Sequence, residues 1–162
     1  MTTDILTAAR QCLGTPFRHQ GRQVGVGLDC AGVAIHVARA IGVAHLDVSG
    51  YGRTPAHGQL EQALEDQPCL ERVPSPYDRQ PGDLLLMRFA RDPQHLAICA
   101  GETMIHGWES VGRCVEHPLD ATWRRRIVAV AEFVDADDGA DADGLVDSDA
   151  SDDGGPSAGA RT

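Results

Sequence analysis

The sequence predicts an α+β domain, in which helices come first along the chain and β-strands follow. Apolar residues recur at helical spacing near the N-terminus, for example at Ile5, Ala9 and Leu13. Beyond Pro81 the apolar residues form short runs rich in valine, leucine and isoleucine, which is the pattern of strands. The helical pattern and the strand pattern thus occupy separate stretches, as in an α+β domain.

Charge divides the 162-residue chain into a domain over residues 1–134 and an acidic tail over residues 135–162. The tail holds nine Asp and one Arg, whereas the domain has 15 acidic residues against 13 Arg, a net charge of −2. With almost no large apolar residues, the tail is expected to be disordered. The nearly neutral domain lacks the concentrated basic face of nucleic-acid-binding proteins, so we expect no nucleic-acid partner.

The N-terminus and the cysteines bear on where the protein is made. The segment Met1-Thr2-Thr3-Asp4 lacks a basic region followed by an apolar core, which predicts synthesis in the cytoplasm without a signal peptide. No apolar run approaches the length of a membrane span. The five cysteines include no Cys-x-x-Cys pair, which favours reduced thiols over a zinc ribbon or a disulfide scaffold.

Helices are predicted in three places. The first is capped by Thr2 or Thr3 and ends at Gly14-Thr15-Pro16. The second begins at Cys30 with Asp29 as its N-cap and ends at Gly42. A short third helix covers residues 59–65, and a proline-rich connector follows it. Strands are then predicted over residues 83–89, 95–100, 103–108, 111–117 and 126–134.

Cys30 is the first candidate for chemistry. A helix N-terminus carries partial positive charge and unpaired N–H groups, which stabilise a thiolate and lower the pKa of a thiol. A nucleophilic cysteine is therefore expected at such a place. The alternative is a small buried residue at a tight turn, which is a common role of free cysteine.

The strand pattern also brings two histidines together. If Gly101-Glu102 is a two-residue turn, Ile98 pairs with Ile105 and Ala97 pairs with His106. His95 lies two residues before Ala97, so the two histidines share one sheet face as diagonal neighbours. A cysteine and two histidines suit thiol catalysis, in which one imidazole moves the proton and a third group orients it. A zinc site and two unrelated buried histidines remain alternatives.

Several motifs, in this order, resemble those of the NlpC/P60 cysteine peptidases. The N-terminal ones are Gly14-Thr15-Pro16-Phe17-Arg18-His19-Gln20-Gly21 and Gly27-Leu28-Asp29-Cys30-Ala31-Gly32. Those of the strands are Pro81-Gly82-Asp83-Leu84-Leu85, His95-Leu96-Ala97-Ile98-Cys99-Ala100-Gly101 and Met104-Ile105-His106-Gly107. The resemblance covers residues 4 to 134. Arg18-His19-Gln20 and Trp123-Arg124-Arg125-Arg126-Ile127 look most like the phage-tail and gene-transfer-agent branch.

The resemblance implies a papain-like α+β fold, with N-terminal helices packed on an antiparallel sheet. It also implies hydrolysis of amide bonds in peptidoglycan stem peptides, such as γ-D-glutamyl to diaminopimelate. Carried over, Cys30 is the nucleophile, His95 the general base and then acid, and His106 the orienting residue. Phe17 and Asp29 are candidates for contacts with the substrate or the oxyanion. No cofactor or metal is expected. The partners expected are peptidoglycan peptides and phage-like tail proteins, reached at the cell wall from a tail particle.

Two positions depart from the family pattern. Phe17 stands where the family commonly has tyrosine, which removes a hydroxyl from the site, and Ala31 replaces the usual serine after the cysteine. Two other functions therefore remain open: a non-catalytic tail-tip or assembly protein with a vestigial site, and acyl transfer on the same scaffold.

Overall fold

The structure is a computed structural model that describes residues 1–135. The predicted acidic tail lies outside the described residues except for Asp135. Within residues 1–135 the α-helices are α1 (Thr2–Gln11), α2 (Cys30–Ile41), α3 (Gln59–Glu65) and α4 (Ala121–Arg124), and Pro76–Asp78 form a 3-10 turn. The strands are β1 (Arg22–Gln23), β2 (Gly27–Leu28), β3 (Leu70–Arg72), β4 (Leu84–Arg88), β5 (Pro93–Cys99), β6 (Thr103–Trp108), β7 (Arg113–Pro118) and β8 (Ile127–Phe133).

The larger sheet is antiparallel and has the strand order β3-β8-β4-β5-β6-β7, while β1 and β2 pair separately. The three predicted helices and five predicted strands all form. The prediction that Thr2 or Thr3 caps α1 is wrong, because the helix begins at Thr2 and Met1 is its N-cap. The sequence did not predict β3, in the proline-rich connector, the short β1–β2 pair, or the single-turn helix α4.

The sheet has an apolar layer on each face. On one face α1 and α2 pack their buried stripes, including Ile5 and Val37, against residues such as Leu96 and Ile98. On the other face Trp123 of α4 joins a second buried group, which includes Leu85, Met87, Met104 and Leu119. Side chains alternate across a strand, so β5 and β6 contribute to both layers. None of the helices in residues 1–135 combines the length and hydrophobicity that a membrane crossing requires.

The turn between β5 and β6 is the predicted one. Gly101 has φ +87°, a conformation that suits glycine at the first central position of a two-residue hairpin turn. Ile98 pairs with Ile105 and Cys99 with Met104, as the sequence predicts. The register that places the two histidines on one face is therefore confirmed.

Candidate active site

The start of α2 is held by Asp29, as the sequence predicts. Its backbone is extended, and its side chain accepts a 2.8 Å hydrogen bond from the N–H of Gly32. This is the ordinary N-cap bond, and it satisfies one of the four N–H groups that a helix start leaves free. Gly32 itself is needed for close packing, since a Cβ there would lie 2.2 Å from the carbonyl oxygen of Gly21. The loop before the helix is thereby locked to its first turn.

Asp29 is only 3% exposed, and its carboxylate is fully engaged with the protein. Oδ1 also accepts from Nη1 of Arg22 at 3.1 Å. Oδ2 accepts from the N–H of Gln20 at 2.8 Å and from the hydroxyl of Tyr51 at 2.5 Å. With four donors around it, the carboxylate holds the helix start and its loops in place. Contact between Asp29 and a substrate stays a prediction, and these bonds do not favour it because they occupy both carboxylate oxygens.

A close approach of backbones places Cys30 beside the histidine strands. A Cβ at Gly107 would lie 2.9 Å from the carbonyl carbon of Asp29 and 3.2 Å from the nitrogen of Cys30. Only glycine allows α2 to begin so near β6. The backbone N–H of Leu96, on β5, is near enough to the Cys30 sulfur to lower the pKa of the thiol. The sulfur therefore lies against the residue that directly follows His95.

The two predicted histidines form a hydrogen-bonded pair. Nε2 of His95 and Nδ1 of His106 are 2.5 Å apart, and the ring centroids are 4.7 Å apart. Both side chains are buried, His95 to 7% exposure and His106 completely. Because Leu96 packs towards α2, His95 points to the opposite sheet face. In the part of the chain that the structure describes, no hydrogen bond joins the Cys30 sulfur to His95.

Burial sets the charge states of this site. It raises the pKa of the Cys30 thiol to about 11, with the nearby charge of Asp29 adding to the shift, while backbone N–H groups oppose it. Burial also lowers the pKa of His95 to about 3, helped by His117 and Arg126. The expectation of a lowered thiol pKa is thus wrong in its net direction: the N–H groups of the helix start do lower the pKa, but desolvation outweighs them. At neutral pH the pair is a thiol and a neutral imidazole.

His117, which the sequence analysis read only as the end of a strand, extends the histidine pair. Its Nε2 lies 2.8 Å from Nε2 of His106, and its Nδ1 lies 3.0 Å from the carbonyl oxygen of Pro118. In the β6–β7 register Val115 pairs with His106, so His117 lies two residues beyond that partner and on the same face. The side-chain alternation that places His95 and His106 on one face would also place His117 there once the β6–β7 register is known.

Aromatic side chains enclose the histidines. Trp108 stacks on His106 with centroids 5.4 Å apart, and Trp123 approaches the same ring edge-on at 5.4 Å. Phe89 covers His95 at 5.2 Å, and the guanidinium of Arg126 lies 5.0 Å from the Phe89 ring centre. These contacts fix the imidazole rings and limit the access of water to them.

A groove of about 710 Å³ runs beside Cys30 on the helix side of the sheet. Its walls include residues of α2, the loop over residues 45–58, α3 and the start of β5, among them Arg22, Ala34, Tyr51, Gln94 and Leu96. Of the described residues, Tyr51 lines this groove and Phe17 does not. Phe17 is half-buried instead, and its N–H donates to the carbonyl of Gly112 at 2.8 Å. Tyr51 thus supplies a hydroxyl next to the helix start.

The histidine cluster pairs its nitrogens with one another. Both ring nitrogens of His106 are taken, one by His95 and one by His117. Within residues 1–135 no group of three or more His, Cys, Asp or Glu side chains is arranged to hold a metal ion.

The structure resembles solved NlpC/P60 domains, whereas neither family sequence models nor curated protein sequences match the chain. An NLP/P60-family protein of Staphylococcus aureus, described as similar to a lipoprotein, is 18% identical with a TM-score of 0.60. The NlpC/P60 domain of the peptidoglycan hydrolase SagA is 21% identical with a TM-score of 0.55. The peptidoglycan hydrolase RipB of Mycobacterium tuberculosis is 19% identical with a TM-score of 0.58.

These similarities cover the domain rather than whole proteins. They include 82%, 82% and 81% of this chain, in the same order. The chain spans 41% of the Staphylococcus aureus protein and 63% of RipB, but 97% of the SagA domain. The described part of the chain therefore has the papain-like α+β fold of NlpC/P60 domains.

Proposed function

We propose that this protein is a cysteine peptidase that hydrolyses amide bonds in peptidoglycan stem peptides, such as the γ-D-glutamyl to diaminopimelate bond. One observation carries the proposal: Cys30, at the start of α2, meets the backbone of β5 and β6 where these strands hold His95 and His106. The fold agrees with it, and two proteins of this fold are described as peptidoglycan hydrolases.

The reaction starts from a thiol and a neutral imidazole. Nε2 of His95 is bound to His106, so Nδ1 is the nitrogen left to exchange a proton with Cys30. His95 faces away from the groove, so the proposed reaction requires the two side chains to come within hydrogen-bond distance when substrate binds; catalytic hydrogen bonds are often long until the complex forms. The sulfur then forms a bond to the amide carbonyl carbon while its proton passes to Nδ1. The carbonyl electron pair moves onto the oxygen.

The helix start stabilises the resulting oxyanion. Asp29 takes the N–H of Gly32, and the N–H groups of Cys30 and Ala31 lie beside the sulfur. Such preorganised donors stabilise the charge that develops on the substrate oxygen. His95 then returns its proton to the amide nitrogen, the C–N bond breaks, and the amine leaves a thioester on Cys30.

Water completes the cycle. His95 takes a proton from a water molecule as its oxygen bonds to the thioester carbonyl. When the C–S bond breaks, the same proton returns to the sulfur and the acid is released. This sequence of steps consumes one water per bond cleaved and draws on the Cys30 and His95 side chains and the N–H groups of the helix start.

We further propose that the protein acts as a component of a phage-like or gene-transfer-agent tail. The support is the likeness of Arg18-His19-Gln20 and of residues 123–127 to that branch. A tail particle would carry the peptidase to the cell wall.

The test is mass analysis of muropeptides after purified sacculi or stem peptides are incubated with the protein. Wild type is expected to release new fragments, and Cys30→Ala is expected to release none. Cys12→Ala is the matched control, because Cys12 is fully buried away from the groove. It should cleave like wild type if it folds. Cleavage by Cys30→Ala at the wild-type rate would reject the proposal.

A second candidate function is a non-catalytic tail-tip or assembly role. Two observations favour it: the Cys30 sulfur forms no hydrogen bond with His95 in residues 1–135, and Phe17 lacks the hydroxyl of the family tyrosine. Iodoacetamide labelling separates the two functions. A working groove predicts that a stem peptide slows the labelling of Cys30, whereas a vestigial site predicts no protection and no cleavage.

A further inference from the structure

His117 lies outside the three residues that the proposed mechanism uses, yet it is bonded to one of them. It is half-buried on β7, next to Trp108 and Trp123, whose ring centroids lie 5.3 Å and 4.9 Å from its own. Hydrogen bonds then run from the carbonyl of Pro118 through His117 and His106 to His95. The whole line consists of ring nitrogens and one backbone oxygen.

The carbonyl at the end of this line determines where each proton lies. The oxygen of Pro118 can only accept, so Nδ1 of His117 carries a proton. In a neutral ring Nε2 of His117 is then an acceptor, and Nε2 of His106 must donate to it. Nδ1 of His106 is therefore an acceptor in turn, and Nε2 of His95 donates to it. This leaves Nδ1 of His95 without a proton.

The reverse arrangement is unfavourable. A proton on Nδ1 of His95 would require each ring in the line to hold its proton on the other nitrogen. Nδ1 of His117 would then present a lone pair to the carbonyl oxygen of Pro118, and two acceptors would face each other at 3.0 Å. This contact is exposed, so the cost is the repulsion between two lone pairs, unless the His117 ring turns away from its contacts with Trp108 and Trp123 and water takes the place of the Pro118 oxygen.

We propose that His117 is a positioning residue that sets the tautomer of His95, through His106, so that Nδ1 of His95 is free to accept the Cys30 proton. The proposal rests on the proposed peptidase function for its catalytic meaning. The tautomer itself is a property of the folded protein and can be measured without any substrate.

Three variants of His117 distinguish positioning from mere packing. His117→Gln offers an amide oxygen that can accept from His106, so it should preserve the direction of the hydrogen bonds from His95 through His106, called the relay below. His117→Phe keeps a ring between the tryptophans but offers no acceptor. His117→Lys offers only donors, so Nε2 of His106 must become an acceptor and the relay reverses.

The direct measurement is nitrogen-15 NMR of the imidazole rings at neutral pH, with His95→Gln used to assign the His95 signals. Wild type and His117→Gln should show His95 protonated at Nε2, and His117→Lys should show it protonated at Nδ1. A wild-type His95 protonated at Nδ1 would overturn the proposal. So would a His95 tautomer that is unchanged in His117→Lys.

Kinetics on a stem peptide supply the second readout. His117→Gln should keep kcat within about threefold of wild type. His117→Phe should lose about tenfold, which corresponds to one hydrogen bond. His117→Lys should lose up to about 10⁴-fold in kcat with little change in KM, as expected for a wrong histidine tautomer. Equal losses in all three folded variants would indicate packing alone and overturn the proposal. Correct tautomers in a protein that cleaves nothing would refute the peptidase function and leave the relay standing.

Discussion

The substitution Gly107→Ala tests how closely α2 must approach the histidine strands. The added Cβ would lie 2.9 Å from the carbonyl carbon of Asp29, 3.0 Å from its oxygen and 3.2 Å from the nitrogen of Cys30. Favourable contacts between carbon atoms begin near about 3.5 Å, so the start of α2 must retreat by roughly half an ångström. Backbone atoms on both sides leave no flexible side chain to yield. Cys30 moves with the helix, away from Leu96 and His95.

The size of the effect follows from this displacement. A misplacement of about 1 Å can reduce a catalysed rate about 100-fold, so half that distance predicts a loss of about tenfold in kcat. KM should change little, because the groove is built mainly from other residues. Overpacking is also expected to lower the free energy of unfolding by about 1–3 kcal/mol.

The assay is steady-state cleavage of a stem peptide, with the folded fraction checked by circular dichroism at the same temperature. Gly112→Ala is the matched control on the next loop: its φ of +81° strains an alanine, but nothing lies within 4 Å of the new Cβ. It should lose about 1–2 kcal/mol of stability and keep the wild-type kcat. A folded Gly107→Ala protein with wild-type kcat would refute the claimed need for close approach.

Three further predictions concern charge and burial. Iodoacetamide should label Cys30 before the four other cysteines, which are at most 2% exposed. The rate of Cys30 labelling should rise with pH towards the thiol pKa of about 11, whereas a plateau below pH 7 would show that the thiolate is already formed. The native state binds fewer protons than the unfolded state between pH 6.5 and 3, because the pKa values of His95 and His106 are lowered to about 3 and about 2. The contribution of these two histidines to the free energy of unfolding should therefore be constant above pH 6.5 and fall by up to about 2.7 kcal/mol per pH unit below it. The exposed His57→Asn control should keep this slope, and His106→Asn should reduce it. Asp29→Ala should lower the free energy of unfolding by about 3 kcal/mol, because it removes a helix cap and leaves the largely buried Arg22 short of a partner. In the same chemical denaturation assay the exposed cap variant Asp120→Ala should lower it by about 1 kcal/mol. Equal losses would contradict the role given to the Asp29 network.

The positions of Cys30, His95 and His106 could be predicted because each depends on local signals. Asp29 and Gly42 bracket α2, and a two-residue turn at Gly101-Glu102 leaves only one register for the hairpin. Side-chain alternation then places the two histidines on one face. These inferences need no knowledge of distant contacts.

Other features depend on contacts that sequence patterns do not report. His117 was missed because the loop of residues 109–112 does not by itself define the β6–β7 register. Strand β3 is an edge strand of three residues, and it forms by pairing with β8. The raised pKa of Cys30 reflects burial by the surrounding fold, which outweighs the helix start.

Tyr51 is another residue whose position at the site the sequence pattern does not indicate. It lies in an irregular stretch with breakers on both sides, and nothing in its spacing connects it to Asp29. The fold of the loop over residues 45–58 brings its hydroxyl to the helix cap and its ring to the groove.

In the proposed reaction Cys30 attacks an amide carbonyl and carries the acyl group. The most direct measurement is peptide mapping by mass spectrometry after wild type is mixed with a stem-peptide thioester and quenched within one turnover. We expect one acyl adduct, on the peptide that contains Cys30, and none in Cys30→Ala. An adduct on another residue, or stem-peptide cleavage that persists in Cys30→Ala, would contradict it.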